Sequence, residues 1–173
     1  MASLAKTSEY EAIVHWDPQS CGDAVLDRCL SIWKKHAKPN RLPKRSDFDI
    51  RTVAPFAGDL AIVSVGKQSK FRFELVGSHL DEYAFVPQTG KELAEVYRDD
   101  RADFGESLAI LFGQVVQRRC PVLVLIPSIT WVQGLQMRFL ALHLPLSLGG
   151  TSVERILSVL RQEPITPVAH EVF

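Results

Sequence analysis

The feature that most restricts this chain is the order of its strand-like runs. Two come before a helical stretch, three follow it, and no helix separates neighbours within either group. Consecutive strands without a crossover helix pair antiparallel, so an α+β fold is expected and a parallel sheet is excluded. The first pair is 59–65 and 70–76, joined by Gly66-Lys67-Gln68-Ser69, with Phe71, Phe73 and Leu75 alternating against Arg72 and Glu74. The later runs are 122–131, a long one from 135 to 146, and 153–160, punctuated by Gln133-Gly134 and Gly149-Gly150. Pro127 removes one ladder donor and thereby assigns the first of these three to a sheet edge.

Helices are signalled on either side of the first pair. From Asp23 to Lys38, an N-capping aspartate precedes Leu26, Cys29, Leu30, Trp33 and Ala37 at three- and four-residue spacing, and Lys34, Lys35 and Lys38 sit at the negative end. After Gly77 come short turns over 78–85 and 91–96. A longer helix then starts after Asp99-Asp100 and runs through Phe104, Leu108, Leu111, Phe112 and Val115 until Pro121 stops it. Residues 1–22 read as an arm whose Ile13, Val14 and Trp16 point to docking, 23–163 as one domain, and 164–173 as a loose tail.

Composition narrows the function classes. With 173 residues, 46% of them hydrophobic, the chain can withdraw roughly 70% of its unfolded surface from water without staples. Twenty Lys+Arg balance twenty Asp+Glu, which leaves no excess charge to attract phosphates and argues against a nucleic-acid binder. No apolar run reaches the ~18 residues of a membrane span, and Lys6, Glu9 and Glu11 interrupt any export signal. Cys21, Cys29 and Cys120 are odd in number and lack C-x-x-C spacing, as expected for reduced thiols in the cytoplasm.

No catalytic or metal-binding motif is present, so no catalytic residue, metal or cofactor is expected. Among the five histidines, His79 beside Asp81 and Glu82 reads as a solvent-facing residue, and His143 among Leu142, Leu144 and Leu146 as an outer-face or satisfied core group. Cys120 follows a helix C-terminus, whose negative end disfavours a thiolate, and reads as structural. The basic run Lys34 to Arg45 lacks interleaved aromatics and reads as a solvated face. Bulky groups from the helical insert and the sheet, namely Leu75, Phe85, Phe104, Leu108, Phe112, Met137 and Phe139, with His79 beside them, are candidates to line a small-molecule cavity; a filled core is the alternative. Leu26, Leu30, Trp33 and Ala37 form a stripe that can bury only against the sheet or another protomer, which makes them candidate dimer contacts.

The ordered series Trp33, Arg41-Leu42-Pro43, Arg45-Ser46-Asp47-Phe48-Asp49, Gly58-Asp59-Leu60-Ala61-Ile62-Val63, Phe71 to Ser78 and Thr89-Gly90-Lys91 resembles a bacterial family of stand-alone PAS-like proteins. Glu74 stands where that family usually has a basic residue, and Ser78 where it has threonine. The resemblance implies a five-stranded antiparallel sheet in spatial order 2-1-5-4-3 with helices over one face. It also implies a regulatory or sensory role, with a small ligand or a partner protein bound, a homodimer, and signalling in trans. Two alternatives stand beside it: an enzyme or ligand carrier using the same cavity with His79 or His143 as acid/base, and a scaffolding module with a filled core.

Overall fold

The computed structural model describes residues 2–3, 10–84, 86–131 and 134–165. Its sheet contains β1 (Ala2–Ser3), β2 (Ile13–Trp16), β3 (Leu60–Val65), β4 (Phe71–Val76), β5 (Val122–Thr130), β6 (Gln136–Leu146) and β7 (Arg155–Pro164). The spatial order is β1-β2-β5-β6-β7-β3-β4, and all pairs are antiparallel. The five expected strands therefore stand in the expected 2-1-5-4-3 order. The count of five is corrected, because the arm adds β2 and the two-residue β1 on the β5 side.

That addition also corrects the edge assignment of 122–131, since β5 pairs with both β2 and β6. Pro127 is tolerated for a different reason. It lies beyond Leu125, the last residue matched by β2, inside the register shift between Ile126 and Ile129. Strand β7 is longer than the sequence pattern implied. It continues to Pro164, and Ile165 N–H donates to Gln136 O at 2.8 Å. Of the tail expected to be loose, 166–173 lie outside the described residues.

Residues 139–146 of β6 and 156–160 of β7 read as largely apolar because the sheet is covered on both faces there. One face receives α1 (Ala24–His36). Asp23 caps this helix, accepting from Val25 N at 2.9 Å and Leu26 N at 3.0 Å, and Trp33 Nε1 donates to Pro145 O at 2.8 Å. Arg161 on β7 latches the helix start by pairing with both Asp23 and Asp59 at 3.2 Å. Leu26, Leu30 and Trp33 are 0, 2 and 7% exposed within the single chain, and Ala37 packs on the same core. Leu26, Leu30 and Trp33 are thus buried within the chain and are corrected from dimer contacts to core, while Ala37 stays half-buried beside them. Burial pushes the thiols of Cys29, on α1, and of Cys21, just before it, up to about 12, and raises Cys120, after α5, as well. A thiol held this way stays protonated and inert.

The other face is covered by α3 (Ser78–Ala84), α4 (Leu93–Val96) and α5 (Ala102–Arg118), while α2 (Ile50–Val53) leads through a 3₁₀ turn, Ala54–Asp59, into β3. Gly77 sets where α3 begins: a Cβ there would overlap the carbonyl oxygens of Ala57 and Gly58. Gly105 likewise admits Tyr97, whose Cβ would be 2.6 Å from an added methyl. Arg119 ends α5 in the left-handed conformation (φ 55°), its N–H returning to Val115 O at 2.8 Å.

Candidate functional site

Between this helical layer and the sheet the chain is not filled. A cavity of about 110 Å³ remains, walled by Ala61, Phe73 and Val76 from β3 and β4, by Val124, Ile126, Phe139, Ala141 and Leu160 from β5 to β7, and by Phe104, Leu108, Leu111 and Phe112 from α5. Tyr10 and Ala12 of the arm close one side, so the docked arm is part of the wall. Trp16, at the end of the β2 strand that follows them, lies under Arg118 with the guanidinium 4.4 Å from the ring centroid.

An aromatic cluster frames one side of this space. Phe104 sits at the centre, with ring centroids 5.1 Å from Tyr97 and 5.0 Å from Trp131, and Trp131 lies 5.2 Å from Phe139. These edge-on contacts are a favoured geometry for aromatic quadrupoles. Burial pushes the Tyr97 phenol up to about 12, with Arg101 opposing the shift, and its hydroxyl donates to Gln88 Oε1 at 3.4 Å. Gln88 is itself 3% exposed; its amide nitrogen reaches Leu80 O and Asp81 Oδ1, both at 3.3 Å.

A second polar point lies deeper. His143 Nδ1 and Ser158 Oγ share a hydrogen bond of 2.8 Å across the β6–β7 ladder, and the Phe112 ring meets the imidazole at 5.2 Å between centroids. Desolvation lowers the His143 pKa to about 4, so the ring is neutral at pH 7. A neutral imidazole so reluctant to take a proton is a weak general base, and the pair serves to satisfy two buried polar groups.

Of the residues proposed for the cavity, Phe104, Leu108, Phe112 and Phe139 line it. Phe85 lies outside the described residues. Met137 is fully buried but sits farther along β6, opposite Ile129, and is corrected from wall to core. Leu75 is corrected too: it is 41% exposed. Between β3 and β4 the register steps from Val63↔Phe73 to Ile62↔Leu75, so Glu74 is a bulged extra residue and the alternation set by Phe71 and Phe73 changes parity. Val76 takes the inward place instead. His79 does not reach the cavity either. Its side chain is 62% exposed and paired with Asp59 at 3.0 Å, on an outer cleft shared with Glu82, Arg161 and Glu163.

Tyr97, Gln88, Trp131, Ser158 and Gln162 were not anticipated. A signal for Ser158 existed: it interrupts the apolar run Ile156 to Leu160 directly opposite His143 once β6 and β7 are paired. The family model described as PAS domain matches residues 23–161. Among solved structures, the chain is similar to one titled as an RNA-binding light-oxygen-voltage receptor, at 13% identity and a TM-score of 0.46. That likeness covers 91% of this chain but spans only 39% of the receptor's. No curated protein matches the chain.

Proposed function

The chain belongs to the PAS domain family, and from that premise we propose that it is a sensory module which binds a small, mostly apolar molecule in its cavity and passes its state to a partner protein. The observation that carries this reading is the unfilled space of about 110 Å³ between the helical layer and the sheet. Protein interiors are close-packed, and an apolar void forfeits dispersion contacts that a fitted guest restores. For scale, an engineered apolar cavity of roughly 150 Å³ takes up benzene, so this one suits a guest about the size of a single ring. Tyr10 and Ala12 give such a guest direct contact with the arm at the sheet edge, which makes the arm the element through which occupancy is read by the partner.

Amide-resolved NMR titration with toluene tests the reading. Saturable shifts are expected in Phe104, Leu108, Phe139 and the arm, while Leu26 and Leu30 stay still. Absence of saturable shifts up to the solubility of toluene overturns it.

A further inference from the structure

Gln162 lies on the cavity face of β7, opposite Phe139, and lines both the cavity and the outer cleft. Its Oε1 is enclosed and has no hydrogen-bond partner among the described residues. Four other polar groups of the wall are paired: His143 with Ser158, and Tyr97 with Gln88. An enclosed amide oxygen with nothing to accept from has given up its water without replacement, so an acceptor left open at a cavity wall selects for a guest that brings the missing donor.

The wall also fixes the guest's charge. Among the described residues that line the cavity there is no Asp, Glu, Lys or Arg, and His143 stays neutral. An ion placed there would lose its hydration against these uncharged lining residues, so a charged guest is disfavoured. Gln162 stands two ladder positions from Leu160 and four residues from Ser158, about 13 Å along the strand at ~3.3 Å per residue, so a guest on Gln162 does not compete with the satisfied His143–Ser158 pair.

We propose that the cavity's ligand is a neutral, ring-sized molecule with an apolar body and one N–H or O–H group, and that this group donates to Gln162 Oε1. The proposal rests on the cavity reading above and narrows it to a chemical class. Gln162 is then the specificity-determining residue, sitting where the cavity meets the cleft that carries His79 and Asp59.

The test compares phenol with toluene, which match in shape and differ in the donor, by NMR titration of the native protein and of Gln162→Met. In an apolar void the phenol hydroxyl would give up its water bonds for nothing, so phenol would bind far more weakly than toluene. With the acceptor present, phenol is expected to bind at least as tightly as toluene. In Gln162→Met the order reverses, phenol losing about tenfold relative to toluene. Toluene binding with phenol weaker in the native protein overturns the donor proposal and leaves the cavity reading intact. Binding of neither overturns both. The comparison in the native protein decides the matter even where the variant fails to fold.

Discussion

The two faces of the sheet are built to different standards. Against α1, side chains such as Leu26, Leu30, Leu142 and Leu144 are 0–2% exposed and interlock, and the Trp33–Pro145 hydrogen bond and the Arg161–Asp23 pair tie the helix to the sheet. Against α5, the wall groups Phe104 and Leu108 are only half-buried, polar side chains intrude, and about 110 Å³ stays open. One sheet thus spends its apolar surface twice, once on rigidity and once on a site. The lesson is that the helix most easily read as an interface is the scaffold, whereas the helical insert holds the cavity.

Truncation should break this symmetry most visibly. Leu30→Ala removes a fully packed side chain from the α1 face and is expected to destabilise by about 4 kcal/mol, because the surroundings cannot collapse onto the gap. Leu108→Ala, on a side chain that already borders empty space, is expected to cost about half of that or less. Urea unfolding midpoints of the two variants decide it, and equal losses would erase the distinction between the faces.

The next effect comes from the imidazole buried on the cavity face. The folded pKa of His143, about 4, lies below its ordinary 6.5, so the unfolded chain binds the extra proton between those values. The contribution is fully present above pH 6.5 and is lost as pH falls toward 4, amounting to about 3 kcal/mol. The measurement is the difference between the stability profiles of the native protein and His143→Gln, which isolates this one ring. Parallel profiles would show that the ring is not held neutral by burial.

Much of this arrangement was legible in the chain itself. Asp23 followed by apolar residues at helical spacing gave α1 and its cap, because the capping bond is local and needs no tertiary knowledge. The partner of that helix was not legible, since a stripe of Leu26, Leu30 and Trp33 has the same period whether it faces a sheet or a second protomer. Leu75 was misplaced because a bulge leaves no mark in an alternating pattern. Gln162 was missed because β7 seemed to end at Leu160: its continuation reads Arg161-Gln162-Glu163, polar in type, although Gln162 lies inward and Arg161 is spent on Asp23 and Asp59. The spatial order of the strands came from the resemblance, not from periodicity, because pairing order is a long-range property.

The smallest effect is also the sharpest test of the comparison, because it turns on sign. Ala141 is 7% exposed on β6 and lines the cavity between Val124 and Leu160. Ala141→Val adds two methyl groups into open space, with a β-branched side chain that a strand accommodates, so stability is expected to hold or rise by up to about 1 kcal/mol. The same enlargement on the other face, Val159→Ile at a site 0% exposed, has no void to enter and is expected to lose about 1–3 kcal/mol. Toluene affinity should fall in the first variant, whose new methyls occupy part of the guest's space, and stay unchanged in the second. If Ala141→Val destabilises as much as Val159→Ile, the cavity face is packed as tightly as the scaffold face and there is no room for a guest.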